Sequence, residues 1–227
     1  MCTVTYLPLG NNDFILTSSR DVPFAREKAL EPKKYVEDGV EITYPKDGRA
    51  GGTWIGFSDK KRLICLLNGG FENHYGTIEA NKKYRKSRGI IVLDLLKEKE
   101  INAAIEAIDL HKIEPFTLVI VDWNNKLQLI ELVWDGTIKH IKKLPKEHHI
   151  WSSSTLYTGK MKQQRKKWFS TWDFHQKEAA VLKFHQQAGI GDEKVDVLMK
   201  REKVGTVSIT QVTKIRDKVI MEYKKVT

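Results

Sequence analysis

Cysteine is almost absent from this chain, with Cys2 and Cys65 the only two in 227 residues. Two thiols do not frame a small secreted domain held by disulfides. Long apolar runs are missing as well: none approaches the roughly 20 residues needed to span a bilayer. The N-terminus has no basic segment followed by a sustained apolar stretch, so no signal peptide is expected. The seven histidines are scattered. His148 and His149 would point to opposite faces of a strand, and no metal-ligand spacing emerges. No linker, repeat or low-complexity block interrupts the sequence. These absences lead to an expectation of a soluble, cytoplasmic protein with no transmembrane segment and no metal.

What is there belongs to a folded protein: 41% of residues are apolar, including six Trp, seven Tyr and eight Phe. The length is ample for a buried core, and without a linker a single domain over residues 1–227 is expected. Lys and Arg outnumber Asp and Glu by 39 to 29, a net charge of +10 with a pI near 9.4. Such a balance suits anionic partners and equally serves solubility.

Periodicity gives the elements. CTVTYLPL reads as a strand, NND as a turn and FILTSS as a strand running back. DVPFAREKALEPKKYVEDG reads as a long surface excursion with a helical turn. VEITY alternates like a short strand, PKDGRAGG is a loop, and TWIGFS and RLICLLN pair through the turn SDKK. Helices follow from about Ser87 and over Ile101 to Ile108, where Ile101, Ala104, Ile105 and Ile108 share one face. FTLVIVDW, LQLIELVW and TIKHIKKL form an antiparallel meander, joined at Asn124-Asn125 and Asp135-Gly136. HHIWSSS adds a strand. Lys160 to about Ala188 reads as helical, with Trp168, Trp172, Ala179 and Leu182 on one face. Asp192 would cap a shorter helix through Arg201. TVSITQVTK and KVIMEYKKV close the chain as strands. This order suits a layered α+β fold with sheets inside and helices outside.

The chemistry gathers at the start. Removal of Met1 would leave Cys2 with a thiol and a free α-amine, a nucleophile and its own base on one residue. An α-amine titrates near ~7.7–8.0, so it serves as a base at neutral pH without large tuning. The first hairpin would return Arg20 and Asp21 to the neighbourhood of Cys2. Asp21 could hold the amine, and Arg20 could tune the thiol or bind a substrate carboxylate. Asn68, ending a buried-looking strand before Gly69-Gly70, is the oxyanion candidate and also an ordinary turn signal. Gly48, Gly51, Gly52 and Gly56 lack the spacing of a dinucleotide loop, and a close backbone approach explains them better. Ser152, Ser153, Ser154 and Thr155 suit the polar lining of a pocket. The Lys160–Lys167 run reads as a solvated helix face, with no nucleic-acid partner expected, although Arg165 could turn inward to clamp a substrate carboxylate. Cys65 reads as core.

MCTVTYLP, FILTSSRDVPFAR, DGRAGGTWIGFS and LLNGG together resemble the NRDE family, the relatives of transport and Golgi organisation protein two. SRGIIV and SSSTLY extend the likeness over most of the chain. The resemblance implies an N-terminal nucleophile hydrolase fold, a four-layer αββα sandwich of antiparallel sheets. It also implies a cysteine nucleophile, as in penicillin V acylases and bile salt hydrolases, with motif matches at Cys2, Arg20, Asp21 and Asn68. Two departures stand out. The name-giving tetrad reads Ser19-Arg20-Asp21-Val22, and Ser154 falls where relatives often carry an oxyanion-hole Asn. The leading expectation is an amidohydrolase that cleaves a linear amide C–N bond in a small molecule, with no metal and no cofactor. Ser154 and Arg165 would contact substrate. The alternative is a non-enzymatic protein that binds or traffics haem or another hydrophobic anion in the same cleft. The sequence leaves the oligomeric state open.

Overall fold

The structure, a computed structural model, describes residues 3–74 and 84–226. The chain forms two compact units, one of Met1–Arg26 with Glu147–Thr227 and one of Glu27–Lys146.

The first unit is built on a five-stranded antiparallel sheet. Its strands are β1 (Thr3–Gly10), β2 (Asp13–Pro23), β10 (His149–Ser152), β11 (Val204–Ile215) and β12 (Lys218–Lys225), in the order β10-β1-β2-β11-β12. The expected turn between β1 and β2 is present. Asn11 and Asn12 both take positive φ, 49° and 65°, the conformation that matches the twist of a tight hairpin and that Asn tolerates. Helices α3 (Gly159–Thr171) and α4 (Lys177–Gln187) lie against this sheet. Leu7 and Ile15 from the strands pack there with Phe169, Val181, Phe184, Ala188 and Val197.

The second unit is a seven-stranded antiparallel meander in chain order. It runs through β3 (Leu30–Glu37), β4 (Val40–Lys46), β5 (Ile55–Ser58), β6 (Arg62–Asn68), β7 (Phe116–Asp122), β8 (Gln128–Trp134) and β9 (Lys139–Leu144). Helices α1 (Arg88–Lys97) and α2 (Ile101–Ala107) complete it, α1 packing on β5 and β6. Every residue of β7 is buried, as its unbroken run FTLVIVD requires. Cys65 sits fully buried in β6. Tight glycine packing explains the GGT segment: a Cβ on Gly52 would come within 2.4 Å of the Gly89 carbonyl carbon, and Thr53 N donates to Gly89 O at 3.2 Å. Of the glycines for which a close approach was inferred, Gly52 makes the contact that joins the loop to the start of α1, whereas Gly51 has open space where a Cβ would stand.

Three expectations are corrected. The surface excursion contains the edge strand β3, whose Tyr35 stacks on Tyr44 of β4 at 4.4 Å between ring centroids. Its charges made it look like a loop; on an edge strand they face water and block further pairing, and Pro32 sits at its register shift. The helix expected over 160–188 is two helices. Trp172 caps the first, and its indole Nε1 donates to Ala180 O at 3.0 Å. The break resets the phase, so Ala180, Val181, Phe184 and His185 are buried in α4 while Ala179 is exposed. Residues 192–201 form turns instead of a helix. Arg165 takes the carbonyls of Val195 and Asp196 in place of a helix ladder.

Candidate functional site

Register, set by the hairpin, decides what surrounds the start of β1. Thr3 pairs with Ser19 of β2 on one side and with Ser152 of β10 on the other. Arg20 and Asp21 therefore continue β2 past the described beginning of β1, and Ser153 and Ser154 continue past β10 at the same end. Cys2 lies outside the described residues. Thr3 is fully buried, and its Oγ1 accepts from Arg165 Nη1 at 2.5 Å.

Side chains alternate along β2. Ser19 and Asp21 turn to the face packed by the helices, and Ser18 and Arg20 to the other. Asp21 is 2% exposed. Its Oδ2 accepts from Tyr157 Oη and its Oδ1 from Thr206 Oγ1, both at 2.6 Å. A register shift between Thr206 and Ser208 makes this possible. The extra residue, Val207, brings Thr206 opposite Asp21 and leaves Ser208 opposite Arg20, a re-aiming that β-bulges commonly perform. Arg20 is 3% exposed; Ser208 stands opposite it, and the Ser18–Thr210 pair is the next one along on the same face. The hydroxyls of Ser18, Ser208 and Thr210 are buried with no hydrogen-bond partner among the described residues.

Around the same end, two side chains of α3 reach the strand termini. Thr158 caps this helix. Arg165 turns inward, as one sequence reading allowed, and is 0% exposed. Its guanidinium holds Thr3 and two carbonyls of the 192–201 turns, and it stacks on the Tyr157 ring with Cζ 3.6 Å from the centroid. Lys162 is half-buried and donates from Nζ to Ser154 Oγ at 2.7 Å. Burial, and then repulsion from Lys166, lowers the Lys162 pKa from its ordinary value. The remaining cations of the run, Lys160, Lys166 and Lys167, are exposed, as a solvated helix face requires.

From α4, His185 bridges the hairpin. Its Nδ1 lies 2.8 Å from Ser19 Oγ and its Nε2 2.9 Å from Thr5 Oγ1. Burial, with the Arg165 charge second, lowers its pKa to about 3, so the imidazole is neutral. Ser19 thus has a specific partner at the tetrad's first position.

Of the residues singled out from sequence, Arg20, Asp21, Ser154 and Arg165 belong to the first unit, and the first three flank the start of β1. Asn68 belongs to the second unit, at the end of β6 opposite Phe116. Tyr157, Thr206, His185 and Lys162 were missed. Each reads locally as an ordinary strand, turn or surface-helix residue, and the partners of Tyr157, Thr206 and His185 lie far away in sequence. Among the described residues there is no group of three or more His, Cys, Asp or Glu side chains that could hold a metal, and no helix long and apolar enough to cross a membrane.

The family model for Transport and Golgi organisation 2 matches residues 1–224. No curated protein matches the sequence. Among solved structures, the chain resembles the N-acylethanolamine-hydrolyzing acid amidase ortholog of Caenorhabditis elegans at 10% identity and a TM-score of 0.62, covering 95% of this chain and 94% of that one. It also resembles a variant of the conjugated bile acid hydrolase from Clostridium perfringens at 10% identity and a TM-score of 0.56, covering 99% and 96%. A mutant of the same hydrolase with a cysteine replaced by alanine matches at 10% identity and 0.53, covering 100% and 97%. At such identities the likeness establishes the fold alone: α+β, with the antiparallel sheets of the N-terminal nucleophile hydrolases.

Proposed function

This chain belongs to the Transport and Golgi organisation 2 family, and from that membership and its fold we propose that it is a cysteine amidohydrolase cleaving a linear amide C–N bond in a small molecule. The observation that carries the reading is the register at Thr3, the residue bonded to Cys2: Arg20, Asp21 and Ser154 all flank the start of β1. The substrate class is suggested by the hydrolases the fold resembles, which act on N-acylethanolamines and conjugated bile acids by name.

In this reading Met1 is removed and the α-amine of Cys2 takes the thiol proton. Sγ attacks the amide carbonyl carbon, and the carbonyl π pair moves onto oxygen. As that oxyanion collapses, the C–N bond breaks and the protonated α-amine gives its proton to the departing nitrogen. A thioester remains. Water then attacks it, surrendering a proton to the α-amine; the C–S bond breaks, the thiol is restored, and a carboxylic acid leaves. Asp21 orients the amine, its carboxylate held in place by Tyr157 and Thr206. Arg20 tunes the thiol or receives a substrate carboxylate. Arg165 keeps Thr3, and with it the start of β1, in position.

Two measurements test the reading. Intact mass before and after brief alkylation near pH 7 reports on Met1 and on thiol reactivity. The buried Cys65 is the internal control, since a sequestered thiol stays unmodified in the folded protein. Loss of Met1 and one rapid modification, at Cys2, is the expected result. Turnover of N-palmitoylethanolamine and glycocholate is then compared with that of Cys2→Ala. Undiminished turnover in that variant, or a retained Met1 with a sluggish Cys2, rejects the nucleophile.

A further inference from the structure

We propose that the cleft at the elbow between α3 and α4 is a binding site for a neutral pyranose sugar. Its role goes beyond the amidohydrolase reading and stands without it. The cleft belongs wholly to the first unit and has a volume of about 460 Å³, within the range usual for small-molecule sites. Gln176, Ala180 and Lys183 line it from α4 at i, i+4 and i+7, one face of that helix. Ala180 contributes only a methyl group, which leaves room above it.

Trp172 supplies the aromatic side of the cleft. Its Nε1 donates to Ala180 O at 3.0 Å, and its ring meets that of Phe184 edge-to-face with centroids 5.5 Å apart. These two contacts fix the indole in place. An indole has a single donor, and here Ala180 already engages it. What Trp172 offers a ligand is therefore a flat apolar surface.

The remaining lining forms hydrogen bonds. Lys183 only donates, Asp173 as a carboxylate only accepts, Gln176 does both, and the ring nitrogens of His175 add to them. A ligand meets these groups without breaking a structural bond. Gln176 stands at the N-cap of α4 but makes no capping bond, and Asp173 accepts from His175 N through Oδ1 alone among the described residues. Together they call for a molecule with an apolar face and polar edges that both donate and accept. A pyranose is built that way, with C–H groups over the ring face and hydroxyls around its edge. One carboxylate and one ammonium balance in the lining, so net charge on the ligand gains nothing. A hydrocarbon would cover Asp173, Gln176 and Lys183 without giving them partners.

The test uses the full-length protein with methyl β-D-glucopyranoside as probe and adenosine and glucose 6-phosphate as controls. Saturation-transfer NMR should show binding concentrated on the C–H protons of one sugar face. Titration should give a Kd of about 1 mM, the scale for a ligand of about a dozen heavy atoms. That value should not change with salt, because no net charge is paired. Trp172→Leu should abolish the signal. Gln176→Ala and Lys183→Ala, both at exposed positions, should each weaken binding by about two- to tenfold, the scale of one hydrogen bond. Thermal melts check folding, and these two variants carry the test if Trp172→Leu does not fold. No signal at about 50 mM glycoside, far above that Kd, overturns the site. So does a signal that survives in folded Trp172→Leu, unchanged affinity in both exposed-position variants, or binding of a control without binding of the glycoside.

Discussion

Tyr157 and Asp21 stand 136 positions apart in sequence, and the phenol donates to the Asp21 carboxylate at 2.6 Å. The link ties the turn before α3 to the end of β2, and Thr206 of β11 closes the arrangement from the other side at the same distance. Hydrogen bonds to a buried charge are among the stronger ones, about 1.5–3 kcal/mol each. Tyr157→Phe is therefore expected to lower unfolding stability by about 2 kcal/mol, and Thr206→Val by a comparable amount, with the denaturant m-value unchanged. Asp21→Ala should cost more, since it strands both hydroxyls together. Urea melts of the three variants check the order.

His185 makes the first unit sensitive to acid. Its pKa falls from 6.5 to about 3 on folding, so between those values the unfolded chain binds a proton that the folded one does not. Stability contributed by the neutral imidazole is complete above about pH 6.5 and declines toward about pH 3, at up to about 1.4 kcal/mol per pH unit. His185→Gln keeps two polar contacts and removes the titration. Equilibrium unfolding at pH 7 should favour the wild type. At pH 4 the difference should shrink or reverse, and a constant difference across the range would show that His185 does not titrate this way.

Much of the fold was legible because its signals are local. The alternation in β1 and β2 and the meander of β7, β8 and β9 follow from residues within ten positions of one another, and the hairpin length alone carried Arg20 and Asp21 back toward the chain start. What stayed hidden depends on distant partners. His185 sits in KEAAVLKFHQQ and resembles any exposed helix residue until Thr5 and Ser19 are placed beneath it. Lys162 was one cation in a basic run, and no local pattern separates it from Lys166 or marks Arg165 as fully buried. The break at Trp172 was obscured because WFSTWDFH contains no Gly or Pro. Edge strand β3 was missed because charge, which marks loops, also marks protected edges.

In the second unit, Arg62 is fully buried and carries the end of α1. Its Nε donates to Asp122 Oδ2 and its Nη1 to Leu95 O at 2.9 Å, with Glu98 O at 2.6 Å. Burial lowers the pKa of Arg62 and raises that of Asp122, and each partner's charge opposes the other's shift. Arg62→Met leaves a buried carboxylate without its cation and two helix-end carbonyls without a donor. A loss of about 3–5 kcal/mol is expected. Adding Asp122→Leu removes the stranded charge and should restore part of that loss. A double-mutant cycle by chemical denaturation measures the coupling, and a double variant no more stable than Arg62→Met would place the cost in the lost helix-end bonds.

Gly51 and Gly52 are adjacent, yet the structure demands different things of them. Gly51 takes φ +70° with open space where a Cβ would stand, so backbone strain is the only objection to a side chain. Asn tolerates that conformation well, and Gly51→Asn should change stability by less than about 1 kcal/mol. Gly52 has no positive φ to satisfy, but its missing Cβ is filled by the Gly89 backbone, which cannot rotate away as a side chain could. Gly52→Ala must push the loop and the start of α1 apart. Overpacking of this kind costs about 1–3 kcal/mol or more, and it breaks the Thr53–Gly89 backbone bond as well. Thermal melts of the two variants should therefore differ clearly, with Gly52→Ala the weaker protein. Equal effects would mean that the loop relaxes around the added methyl and that the Gly52–Gly89 contact does not demand glycine.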